Sequence, residues 1–291
     1  MKKKTIFSGA ATALITPFKN GKIDYNALAK IIEFQIQSSI DALVIGGTTG
    51  EASTLSDYER DKLYSFSAET VNHRVPLVFG IGTNDTKRAV KYAKRAKVCG
   101  ADALLSITPY YNKGTQDGII SHYKNISNAT DLPAIIYNVP SRTGVNLSID
   151  AIDKISEEEN VCAIKEASDS ADRLIELSAL SDKLTLYAGN DTQTYTSLAL
   201  GGMGVISVLS NAYPCEVLDI TNAFWRGDTD SALNSQRNVI NKVRSLFLET
   251  NPTPIKYVMH LLGFCESDMR LPLSPPTEKT RSVLKSKFFE K

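Results

Sequence analysis

The chain has 291 residues, 42% hydrophobic and 22% charged, the balance of an ordinary folded protein with enough length to bury a large core. Lysine plus arginine total 33 against 32 aspartate plus glutamate, and this formal net charge of +1 gives no electrostatic footprint for nucleic acid or an anionic membrane surface. No apolar run reaches the roughly 18 residues of a membrane span. The start, with Lys2, Lys3 and Lys4 but no long apolar stretch behind them, does not read as a signal peptide, so the expected location is the cytoplasm.

Short apolar, β-branched runs recur along the chain. They predict strands at 9–15, 42–46, 76–81, 103–107, 133–137, 161–165, 184–188 and 204–208. Continuous apolar runs of this kind belong to strands buried on both faces, as in a parallel sheet. Helical patterns fill the intervals. Asp24 caps one that carries Leu28, Ile31, Ile32 and Gln35, and Ser56-Asp57-Tyr58-Glu59 fits a capping box. A third, with Val90, Ala93 and Ala96, stops at Gly100, and a fourth over 116–128 carries Ile119, Ile120, Tyr123 and Ile126. Residues 41–45 (DALVI) weakly repeat as 102–106 (DALLS).

About eight strand–helix alternations over about 225 residues have the rhythm of a (β/α)8 TIM barrel. A doubly wound sheet would place a glycine-rich turn after its first strand, and 12–18 contain no glycine. Helical patterns at 217–224, 229–248, 253–262 and 277–289 follow the last strand, punctuated by Pro252, Pro254, Pro272, Pro275 and Pro276. The expected organisation is a catalytic barrel over 1–225 and a C-terminal helical extension over 226–291.

The four cysteines (Cys99, Cys162, Cys215, Cys265) form no CxxC, and the three histidines (His73, His122, His260) have no HExxH spacing, so no metal site is expected. The chemistry collects after the strands, at what a barrel makes its C-terminal rim. There stand Thr48-Thr49, Tyr110-Tyr111, Tyr137, Arg142, Lys165 and Asn190-Asp191. Lys165 ends an apolar strand, where desolvation lowers an amine's pKa and makes it a nucleophile for carbonyls. A strand-end lysine paired with Glu166 or reaching solvent is the competing reading, and position alone leaves both open. Tyr137 ends the preceding strand and is either a proton relay or a core tyrosine. Thr48 and Thr49, in a glycine-flanked turn, offer hydroxyls and N–H groups to a carboxylate, or simply cap the turn. Arg142 suits bidentate carboxylate binding, or is a surface arginine. Tyr110-Tyr111 after Pro109 suits an interface.

Seven motifs, in order, resemble those of the dihydrodipicolinate synthase family, in the pyruvate-dependent, N-acetylneuraminate lyase-like class I aldolases. They are GGTTGE (46–51), TPYYN (108–112), YNVPSRTG (137–144), IKEAS (164–168), AGND (188–191), GGMGVISV (201–208) and RLPLSPP (270–276). The resemblance implies that Lys165 forms a Schiff base with pyruvate while Tyr137 shuttles protons. Thr48 would link Tyr137 to Tyr111 of a neighbouring subunit, and Thr49 would hold the pyruvate carboxylate. Arg142 would bind the carboxylate of L-aspartate 4-semialdehyde, and the main chain at Gly189 and Ile206 would line the pocket. It further implies no metal or organic cofactor, a place in lysine and diaminopimelate biosynthesis, and a homotetramer built as a dimer of dimers. N-acetylneuraminate lyase, 2-keto-3-deoxy sugar-acid aldolases and a catalytically silent keto-acid sensor are the alternatives; the tyrosine pair and the SRTG loop speak against the first two. At the positions aligned with the family's inhibitory lysine site stand Asp57, Arg60 and Arg88, beside retained Tyr110 and Asn84. Two arginines repel a lysine ammonium, so weak or absent lysine feedback is expected.

Overall fold

The computed structural model describes residues 5–290; Lys2, Lys3 and Lys4 lie outside the described residues. The chain opens with β1 (Gly9–Ala13), a hairpin of β2 (Phe18–Lys19) and β3 (Lys22–Ile23), and α1 (Tyr25–Gln37). Next come β4 (Ala42–Ile45), α2 (Asp57–Val71), β5 (Leu77–Gly80), α3 (Thr86–Val98), β6 (Ala103–Ile107) and α4 (Gln116–Ser127). The second half runs through β7 (Ala134–Asn138), the one-turn α5 (Pro140–Thr143), α6 (Ile149–Ser156), β8 (Val161–Glu166) and α7 (Ala171–Ser178). Then follow β9 (Thr185–Ala188), α8 (Thr194–Ala199), β10 (Gly204–Ser207) and α9 (Pro214–Trp225). The eight strands β1 and β4–β10 pair in parallel, and β10 returns to pair with β1, closing a TIM barrel.

Alternation along each strand divides the apolar residues into two cores. Ala11, Val44, Val78, Leu105, Ile135, Ala163 and Ile206 share one cluster, the barrel interior. Ala10, Leu43, Phe79, Leu104, Ile136, Ile164 and Val205 join the larger cluster with the surrounding helices. Both registers are apolar, so these strands read as continuous apolar runs.

The weak repeat has a physical cause. The Asp41 carboxylate accepts the Ala10 N–H at 2.8 Å, and the Asp102 carboxylate accepts the Leu77 N–H at 2.8 Å. Each aspartate clamps the entry of its own strand to a neighbouring strand. The helix starts also follow the sequence: Asp24 caps α1, Ser56 and Glu59 form a reciprocal capping box on α2, and Gly100 follows α3 at φ +91°.

The helix α9 lies against β1 as part of the outer layer. Beyond it, α10 (Thr229–Ser245) packs on α9, and α11 (Thr253–Leu261) and α12 (Glu278–Phe289) follow. Val239, Val243, Ile255, Val258 and Leu284 of these helices join the same apolar cluster as the barrel's outer face. No helix among the described residues is long and apolar enough to cross a membrane.

Candidate active site

A cavity of about 870 Å³ opens at the C-terminal ends of the strands. Its wall includes Thr48, Thr49, Tyr137, Arg142, Lys165, Gly189 and Asp191, with Phe247, Leu248 and Asn251 from the segment after α10. Most of the residues singled out from sequence therefore meet in one place. The two expected members outside that wall are Tyr111 and Ile206. Tyr111 is 88% exposed at φ +72°, on the outer surface of this chain. Ile206 is fully buried among the barrel-interior side chains, and the cavity wall after β10 is Val208.

Lys165 shares the inward register of Ala163 on β8, and only 5% of it is exposed. In the strand register it stands beside Tyr137 of β7, and its Nζ lies 4.3 Å from the centroid of the Tyr137 ring. Burial pulls the Lys165 amine down to about 8, opposed by the negative charge of Asp191 and aided by the positive charge of Arg142. Near neutral pH the neutral amine thus rises from a trace to about a tenth of the population. Burial raises the Tyr137 phenol, and the Arg142 charge and the Thr48 hydroxyl partly offset this.

The competing reading of Lys165, a pair with Glu166, fails on strand geometry. Glu166 faces the other side of β8, where it accepts Arg173 Nε at 3.0 Å, Asn138 Nδ2 at 3.0 Å and the Ser168 N–H at 2.9 Å. The network holds β7, β8 and α7 together behind the site and leaves Lys165 to the cavity.

The GGTTGE segment forms a tight turn after β4. Gly46 takes φ +65°, and a Cβ there would meet the Tyr64 ring at 2.8 Å, so glycine is required. Gly50 and Glu51 donate N–H bonds back to Gly47 and Thr48, which presents the two threonines to the cavity. The turn is anchored at its far end. Glu51, itself left-handed at φ +53°, holds Lys256 Nζ of α11 at 2.6 Å, with both side chains essentially inaccessible to solvent. Its other oxygen accepts the Arg270 N–H at 3.1 Å, while the Arg270 side chain reaches Glu59, which it holds down at about 2.

Sequence reasoning placed Asp191 at the rim without giving it a role, and missed Asn251 and the Glu51–Lys256 pair. Asp191 is buried and accepts the Ser207 hydroxyl and the Val208 N–H, and burial raises its pKa. The signal for Asp191 was its place at the end of β9. Asn251 and Lys256 carry none, because they reach the site across more than two hundred residues of chain. At the lysine-site positions, the Asp57 carboxylate is taken by Lys91 and Tyr92, and Arg60 is buried, donating to Tyr64, Gly80 and Ala52.

An amine and a phenol in one desolvated mouth, flanked by hydroxyls and a guanidinium, are equipped to capture a carbonyl compound that carries a carboxylate. The 4-hydroxy-tetrahydrodipicolinate synthase of Clostridium novyi is 45% identical over 283 residues, 97% of this chain and 96% of that one. The Thermotoga maritima dihydrodipicolinate synthase structure superposes with a TM-score of 0.95 at 39% identity, over 97% of this chain and 98% of that one. A monomeric dihydrodipicolinate synthase variant gives 0.96 at 39% identity, over 98% and 97%. The profile of the dihydrodipicolinate synthetase family matches residues 6–290, nearly the whole barrel and its helical extension, and the chain belongs to that family.

Proposed function

We propose that this chain condenses pyruvate with L-aspartate 4-semialdehyde to give 4-hydroxy-tetrahydrodipicolinate, in lysine and diaminopimelate biosynthesis. The observation that carries the reading is the Lys165 amine, desolvated at the barrel mouth and set over the Tyr137 ring. The name shared by the relatives supports the choice of reaction.

Lys165 Nζ attacks the ketone carbon of pyruvate, and the resulting carbinolamine loses water to give an imine. The protonated imine nitrogen withdraws electrons, so a methyl proton leaves and an enamine forms. Tyr137 carries these protons, with Thr48 as its hydroxyl neighbour. The enamine carbon attacks the aldehyde of the second substrate, whose carboxylate Arg142 binds. The amine of that substrate then attacks the imine carbon and expels Lys165 as the ring closes. Thr49 and the turn around it hold the pyruvate carboxylate, and Gly189 and Val208 complete the pocket wall.

The barrel over 1–225 supplies this chemistry and the helical region over 226–291 walls its mouth. The enzyme works in the cytoplasm as a homotetramer, a dimer of dimers, in which Tyr111 reaches a neighbouring subunit's relay. The exposure of Tyr111 and its place outside its own chain's cavity wall support that reading. A coupled assay with pyruvate and aspartate semialdehyde tests the reading: turnover is expected. Turnover of N-acetylneuraminate or a keto-deoxy sugar acid with none of the semialdehyde would overturn it.

A further inference from the structure

Asn251, just before α11, touches both expected carboxylate-binding groups. Its Nδ2 donates to Thr49 Oγ1 at 2.9 Å, and its main-chain carbonyl accepts Arg142 Nη2 at 2.9 Å. The residue is 5% exposed and lines the cavity, while its Oδ1 is buried with no hydrogen-bond partner.

A threonine hydroxyl has one proton. An amide turned the other way would accept that proton on Oδ1, and Thr49 could then offer only lone pairs to the cavity. As placed, the amide N–H fills a lone pair of Thr49 Oγ1, so the Thr49 proton is free to be donated into the cavity. A carboxylate needs donors, so this orientation makes Thr49 a pyruvate-binding group. The orientation leaves Oδ1 buried without a partner, at a desolvation cost. The main-chain bond meanwhile fixes Arg142 on the same short segment.

We infer that Asn251 is a positioning residue that sets the hydrogen-bond polarity of Thr49 toward the pyruvate carboxylate and seats Arg142 for the carboxylate of the second substrate. This rests on the Schiff-base reading above. The two contacts are separable, because side-chain substitution removes the first and keeps the carbonyl that makes the second.

The test is borohydride trapping of the pyruvate adduct in the full-length enzyme at graded pyruvate concentrations, with steady-state kinetics for both substrates. Asn251→Ala should raise the half-saturating pyruvate concentration about tenfold, the worth of one charge-assisted contact, while the KM for the semialdehyde moves little. Asn251→Asp should do worse, on the order of a hundredfold, because an ionised carboxylate takes the Thr49 proton and repels pyruvate. Measured relative to wild type at the same pH, lowering the pH to protonate that aspartate should restore part of the loss. In a Thr49→Val background, Asn251→Ala should add little. An Asn251→Asp enzyme that saturates like wild type, or additive losses in the double variant, overturns the inference. Failure of wild-type enzyme to form any adduct instead overturns the Schiff-base reading on which it rests.

Discussion

Replacing Lys256 with methionine strands a carboxylate. Glu51 and Lys256 are both essentially sealed from solvent and 2.6 Å apart, and the ammonium also lies 4.3 Å from the centre of the Phe18 ring. Burial holds the lysine below its ordinary pKa, with the Glu51 charge and hydrogen bond as the chief opposing contributions. After Lys256→Met, Glu51 keeps only the Arg270 N–H. Removing one partner of a buried ion pair costs about 3–5 kcal/mol, because the other charge is left uncompensated. At about 2 °C per kcal/mol for a chain of this size, Tm should fall by ~8 °C. Glu51 also ends the turn that presents Thr48 and Thr49, so pyruvate affinity should fall with it. The double variant Glu51→Gln/Lys256→Met, which removes both charges, should recover most of the melting temperature. Calorimetry and pyruvate saturation read the two effects. A single variant melting within about 2 °C of wild type, or a double variant no better than the single, refutes the reasoning.

Three further outcomes follow from the site. Arg142→Ala should raise the KM for the semialdehyde about ten- to a hundredfold while Lys165 still traps pyruvate, since only the second substrate's carboxylate loses its charge-assisted bonds; loss of trapping contradicts this division. Adduct formation at limiting pyruvate should fall about tenfold per pH unit below about 8, where the Lys165 amine takes up a proton; a flat profile down to pH 6 or so sinks it. The same depressed pKa means that the charged lysine costs stability, fully below about 8 and not at all above its ordinary value of 10.5. Lysine at physiological concentration should inhibit weakly or not at all, because Asp57 is already paired with Lys91 and Arg60 is buried; substantial inhibition in the steady-state assay overturns that expectation.

The barrel was legible because its strands are apolar on both registers, so each of the eight runs stands out against amphipathic helices and their caps. The hairpin Phe18–Lys19 with Lys22–Ile23 was invisible, being two short antiparallel rungs with no apolar pattern. The one-turn helix Pro140–Thr143, too short for any periodicity, was hidden inside the SRTG loop. At the site, Lys165, Tyr137, Thr48, Thr49 and Arg142 could be found because each lies at or shortly after the C-terminal end of a strand, and a barrel gathers strand ends. Lys165 itself was ambiguous from position; alternation along β8 settles it, turning Lys165 inward and Glu166 outward to Arg173. Asn251 and Lys256 were unreadable because nothing local tells which rim a returning C-terminal segment will touch, and Arg270 stood out only as the start of the RLPLSPP motif, without its partners.

Borohydride reduction in the presence of pyruvate, followed by peptide mapping, tests the account most directly. It predicts one permanent modification, at Lys165, that competes with no other lysine and vanishes in Lys165→Ala. Unmodified Lys165 after reduction, or a modification on a different residue, would contradict it.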